Sequence, residues 1–222
     1  MATLATIRTR VLAKLVDAGG SIAEPSVSQV TAEINSAIDY YEPESFWFND
    51  EVATGFLTID NANVPLPANF CTFLEPSGLT IEISNSRYPL KKVTPLQYDS
   101  MYSAATGEPI YYTYRHQTLD VYPIPSQAYA YRLFYTKNYA DLVNDSDLND
   151  FTRYAQFLIE YQTLARCYRD YRSDMEAAAN YEVEAGKQLN RLVDQSRARL
   201  ATGELTVENI TRPAFNGYSY YY

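Results

Sequence analysis

The chain has 222 residues, 46% of them hydrophobic and 20% charged, and a net charge of −9. That length suffices for one well-packed domain or two small ones, and the acidic balance speaks against gripping nucleic acid through its phosphates, which needs a basic patch. Tyrosine is the outlier, with 22 copies against one tryptophan, and its large ring with one hydroxyl suits half-buried positions and seams between partners.

At the N-terminus, Leu4, Ile7, Val11 and Leu15 repeat at helical spacing and stop at Gly19-Gly20. Arg8, Arg10 and Lys14 with no acid before Asp17 would also suit a transit peptide, but the periodicity reads as a first helix. A second helix follows Pro25, opened by Ser26 and Gln29 in capping-box spacing. Its apolar face is Val27, Val30, Ile34, Ile38 and Tyr41, and Pro43 ends it. Both stripes need a partner.

From Phe46 to Tyr139 short strand-like runs replace the helical period. The clearest are FLTID (56–60), LTIEI (79–83), PIYYTYR (109–115), TLDVY (118–122) and YAYRLFY (129–135). Gly55, Gly78, Gly107 and the prolines at 65, 67, 123 and 125 separate them. Thr94, Pro95 and Gln97 predict one short helix reaching about Tyr102.

Helices return at Leu148. Phe151, Tyr154, Leu158, Tyr161, Ala165 and Tyr168 trace a seam along one long helix. Ser173 and Glu176 form a second capping box, and Ala178, Tyr181, Ala185, Leu189, Leu192 and Val193 line a further helix to Ala201. The pair predicts an antiparallel hairpin. The expected fold is α+β: a helical bundle from residues 1–45 and 140–205, an inserted antiparallel β domain over 46–139, and an extended tail over 206–222.

Candidates for chemistry are few. His116, the only histidine, sits between two strands with no nucleophile motif around it and reads as a polar hairpin residue. Cys71 and Cys167 lack neighbours at metal or redox spacing, and two distant cysteines suit a reducing cytoplasm. In NDSDLND (144–150), Asp145, Asp147 and Asn149 match the first positions of a calcium loop. Asp150 stands where glycine is required and Gln156 where a glutamate is required, so the acids read as helix caps. Asn144 and Asn209 stand in glycosylation sequons that carry no weight without a secretory signal. No cofactor or metal is expected, and no run approaches the ~20 apolar residues of a membrane span.

The tyrosine-rich stretch 110–135 allows two readings. Tyr112 and Tyr114 share one face of a strand with His116, and Tyr111 the other; Tyr129, Tyr131 and Tyr135 line one face of a second strand. Rings on both faces would suit base stacking, but the charges from Glu108 to Tyr135 nearly cancel and no glycine lies between Gly107 and Gly186. Sheet core, or contact between subunits, is the better reading.

Gly107-Glu108-Pro109-Ile110-Tyr111-Tyr112, then Leu119-Asp120-Val121-Tyr122-Pro123-Ile124-Pro125, then Tyr131-Arg132-Leu133-Phe134-Tyr135, in that order, resembles the head-to-tail adaptor proteins of short-tailed bacteriophages. Phe46-Trp47-Phe48 and Val64-Pro65-Leu66-Pro67-Ala68-Asn69-Phe70 extend the likeness to about residues 4–201. The resemblance implies a non-enzymatic virion protein of the neck, assembled in the host cytoplasm. It implies a ring, usually of twelve copies, that binds beneath the portal protein, extends the channel for double-stranded DNA and carries tail or nozzle proteins. It also implies that the helical part forms the ring body and that a C-terminal extension reaches the portal. Ile210, Arg212, Phe215, Tyr218, Tyr220, Tyr221 and Tyr222 lie in a segment too short to bury its own rings, so they are the expected docking residues for the portal or a neighbour. Two other classes stay open: a module binding single-stranded nucleic acid on its tyrosine faces, and a tail-tip component binding a receptor or carbohydrate.

Overall fold

The computed structural model describes residues 2–17, 25–74, 78–101, 104–115 and 117–201. Helix α1 (Leu4–Asp17) buries the predicted stripe completely, with Leu4, Ile7 and Val11 at 0% exposure. Its first N–H groups find backbone acceptors far along the chain: Leu4 donates to the Asp147 carbonyl at 2.9 Å and Ala5 to that of Asp145 at 3.2 Å. The predicted stop at Gly19-Gly20 lies outside the described residues.

Helix α2 (Val27–Tyr41) starts with the expected reciprocal cap between Ser26 and Gln29. Its buried face is Val30, Ile34, Ala37, Ile38 and Tyr41. Val27 departs from the expectation: it belongs to the first turn, ahead of the part of the stripe the bundle covers, and is 51% exposed.

The predicted strand at 56–60 is displaced. Strand β1 (Asp50–Phe56) precedes it, and Leu57 adds one last bond to the Tyr129 carbonyl before Asp60 turns away at φ 57°. Next come β2 (Asn63–Val64), β3 (Phe70–Phe73), β4 (Leu79–Ile83), β5 (Ser86–Pro89) and β6 (Lys91–Lys92). Helix α3 (Pro95–Met101) carries the predicted Thr94–Gln97 cap. Strands β7 (Thr106–Gly107), β8 (Tyr111–Arg115), β9 (Thr118–Tyr122), β10 (Ile124–Pro125) and β11 (Ala130–Lys137) complete this part.

β11 is the spine of one antiparallel sheet, ordered β1-β11-β4-β5, with β3 joining β11 beyond the end of β4. The second sheet is ordered β2-β9-β8-β6, its β6–β8 pair parallel, and β7 and β10 form a short parallel ladder. Leu79, Ile81, Tyr131 and Leu133 from the first sheet and Tyr112, Leu119 and Val121 from the second share one buried cluster.

The expected long helix after Leu148 is interrupted. Helix α4 (Asp150–Tyr154) ends at Ala155, whose φ of −120° and ψ of 22° leave helical geometry, and α5 (Gln156–Arg172) begins there. The break lets Phe151 enter an aromatic cluster, with ring centres 5.2 Å from Phe48, 5.5 Å from Tyr139 and 6.0 Å from Phe46. Tyr154 swings off the predicted seam to 40% exposure and packs its ring 4.5 Å from Trp47.

Helix α6 (Met175–Ala201) folds back along α5, with Tyr181 stacked on Tyr168 at 5.3 Å and Ala178, Ala185 and Leu192 buried. The predicted Ser173 cap is corrected. Ser173 closes α5 in the left-handed region at φ 54°, and the Asp174 carboxylate accepts the Ala177 N–H at 2.9 Å. Side chains of α1, α2, α4, α5 and α6 form a second buried cluster that also takes in Phe46, Phe48 and Leu142.

Candidate docking surfaces

Four of the singled-out tyrosines face inward. Tyr112, Tyr129, Tyr131 and Tyr135 are buried in the β cluster, while Tyr111 and Tyr114 are half-buried. Strand register explains this: Tyr131, Leu133 and Tyr135 alternate onto the core side of β11, and Tyr129, one residue ahead of the strand, keeps the same alternation. The Tyr135 hydroxyl lies 3.0 Å from Glu51 Oε2 and 3.1 Å from Asn69 Oδ1. Burial, then the bond to the Glu51 carboxylate and its charge, pushes this phenol up to about 12, so it stays a neutral structural donor. Tyr131 passes beneath Gly55, where a Cβ would sit 2.9 Å from the ring. Covered rings cannot stack on bases. His116 lies outside the described residues.

The acidic loop between β11 and α4 is a structural hub. Asn149 and Thr152 cap α4 reciprocally, each backbone N–H bonding the other's side chain at 3.0 Å. The Asp147 carboxylate accepts the N–H groups of Asn144 and Val143 at 2.7 and 2.8 Å, which holds it below the usual carboxylate range. Asp145 pairs with Arg8 of α1 at 2.6 Å. Among the described residues no three His, Cys, Asp or Glu side chains come together as a metal site. Cys167 is fully buried, and burial pushes its thiol up to about 12; Cys71 is half-buried in β3.

Where the chain crosses between the two clusters, polar side chains clamp the backbone. Asn35 bonds both backbone groups of Leu142, at 3.0 and 3.1 Å. Asn49 accepts the Phe46 N–H at 2.7 Å and donates to the carbonyls of Glu42 and Glu44. Glu42, covered to 6% exposure, accepts the Tyr139 N–H at 2.8 Å.

Uncovered apolar residues lie on several faces: Val52 and Phe56 on β1, Leu96 on α3, Ile110 before β8, and Phe157 and Val183 on the helices. Sequence reasoning missed the β1 face, although Val52, Thr54 and Phe56 stand at period two beside it. The terminal residues Ile210, Arg212, Phe215, Tyr218, Tyr220, Tyr221 and Tyr222 lie outside the described residues.

The fold is α+β, with Tyr112, Tyr129, Tyr131 and Tyr135 built into the β core and uncovered apolar side chains on separate outer faces. The sequence model of the SU10 adaptor protein matches residues 2–208, and the chain belongs to that family, one of structural adaptor proteins of bacteriophages. No curated protein matches the chain.

Proposed function

We propose that this protein is the head-to-tail adaptor that binds beneath the portal of a phage capsid, forms a ring of twelve copies there, and presents the platform for tail or nozzle proteins. The family match over residues 2–208 carries the reading. The net charge of −9 supports it, since a like-charged wall lets double-stranded DNA slide through a channel without sticking. In this reading residues 1–45 with 140–205 form the ring body, 46–139 face the tail, and 206–222 dock on the portal or a neighbour. The protein then works in the virion neck, after assembly in the host cytoplasm. Electron microscopy of the protein alone and mixed with portal rings tests the proposal: a ring of added density beneath the portal is expected, and bare portals at saturating adaptor would refute it.

A further inference from the structure

The two edges of the larger sheet are built differently. β5 is four residues long, carries Arg87 and ends on Pro89, all devices that blunt an edge. β1 runs for seven residues, DEVATGF, with neither lysine nor proline. Its ladder fixes which groups are left over. Leu57 N–H bonds the Tyr129 carbonyl at 2.8 Å, and Lys137 N–H bonds that of Asn49 at 3.1 Å. In the register between them, Glu51, Ala53 and Gly55 turn their backbone groups to β11, while Val52, Thr54 and Phe56 turn theirs to the open side. Asp50 N–H, at the start of that side, turns back to the Phe46 carbonyl at 3.2 Å, and among the described residues no other backbone group bonds the outward N–H or carbonyl groups of Val52, Thr54 and Phe56.

The adjoining face is also uncovered. Phe56 is 70% and Val52 46% exposed. Arg132 stands between Thr54 and Thr80 in the register, half-buried and without an ion pair among the described residues. A segment suited to this place would bring unpaired backbone and aromatic rings, to pair with β1, cover Phe56 and stack on the guanidinium.

The chain holds such a segment in sequence beyond α6, whose end lies near the start of β1. The Arg199 guanidinium lies 3.6 Å from the Trp47 ring centre, and Ser196 Oγ accepts the Trp47 N–H at 3.3 Å. The chain therefore leaves α6 beside a residue three positions ahead of β1. Beyond it, Tyr218, Tyr220 and Tyr222 recur at strand period. About twenty extended residues reach ~70 Å, against ~23 Å for β1.

We propose that the open edge of β1 receives this chain's own C-terminal segment as an added strand, with the rings of Tyr218, Tyr220 and Tyr222 over Val52, Phe56 and Arg132. The contact belongs to the chain before it meets a partner and does not rest on portal attachment. Amide hydrogen exchange of the full chain tests it, against a variant carrying Tyr218→Ser, Tyr220→Ser and Tyr222→Ser. The amides of Val52 and Thr54 are expected to exchange at least tenfold more slowly in the natural chain, while those of Ala53 and Gly55, bonded to β11, match in both proteins and report an intact sheet. A second variant, Thr54→Pro, removes one outward N–H, keeps the ladder to β11, and is expected to release the protection of the terminal segment. Equal rates at Val52 and Thr54 in the natural chain and the tyrosine variant would overturn the proposal. So would protection that grows with protein concentration, which assigns the edge to a second copy.

Discussion

Glu42 ends α2 with its carboxylate turned onto the Tyr139 N–H and with Asp39 and Asp141 as like-charged neighbours. Burial raises its pKa most; the bond from Tyr139 opposes this, and the two aspartates add to it. A carboxyl whose pKa is higher in the fold than in the unfolded chain binds its proton more tightly when folded. The fold then loses stability as pH rises from the unfolded value through the folded one. Glu42→Gln keeps an oxygen for the Tyr139 N–H and carries no charge. At pH 7 the variant is expected to melt a few degrees above the natural protein, where 1 kcal/mol moves Tm by about 2–4 °C in a chain of this size. The gap should close as pH falls below the usual carboxylate range; identical melting at pH 7 would show that the carboxylate is not strained. Asp39 and Asp50, both also raised chiefly by burial, push the natural protein's optimum in the same acidic direction.

The turn between α5 and α6 is where one-residue differences decide an element's ends. Asp174, not Ser173, caps α6, so Asp174→Ala is expected to cost about 1 kcal/mol in urea unfolding. Ser173→Gly relieves a left-handed residue at φ 54° and should gain roughly 0.5–1 kcal/mol; a loss there instead would restore Ser173 as the cap. The hairpin itself was legible, because Ala178, Tyr181, Ala185 and Leu192 carry the helical period to the end of α6. The cap was not, because Ser173 and Asp174 are both good capping residues and only the closing geometry of α5 selects between them. The break at Ala155 was hidden for a related reason: Phe151 and Leu158 fit one continuous helix, and it is the distant rings of Phe46 and Phe48 that draw Phe151 aside. β1 was misplaced because DEVATGF opens on two acids and includes a glycine, whereas FLTID alternates cleanly. Strand pairing with Leu133 and Phe134 overrides that local preference. Of the contact residues, the tyrosines of β8 and β11 were legible as sheet framework from alternation, while the open edge of β1 depends on strand order, which no local pattern encodes.

For the whole molecule, removing residues 206–222 is expected to leave the protein folded with a cooperative thermal transition, since both buried clusters are formed by residues 2–192, and to weaken co-sedimentation with portal rings. Undiminished co-sedimentation would relieve the terminal aromatics of that role. The helical cluster is stitched across long stretches of chain: Tyr41 bonds Gln162, 121 positions on, and Lys14 bonds Glu160, 146 positions on. A ribosome adding ~5–20 residues per second leaves α1 and α2 waiting on the order of ten seconds for α5. Through that interval Val30, Ile34 and Ile38 have only α1 beside them and lack the cover of α5, while the β4–β5 and β8–β9 ladders, local in sequence, form as they emerge. The bundle closes last, its ends drawn together by a β part already folded rather than across slack chain. During synthesis the first two helices, rather than the sheets, are the stretch most in need of shelter from aggregation.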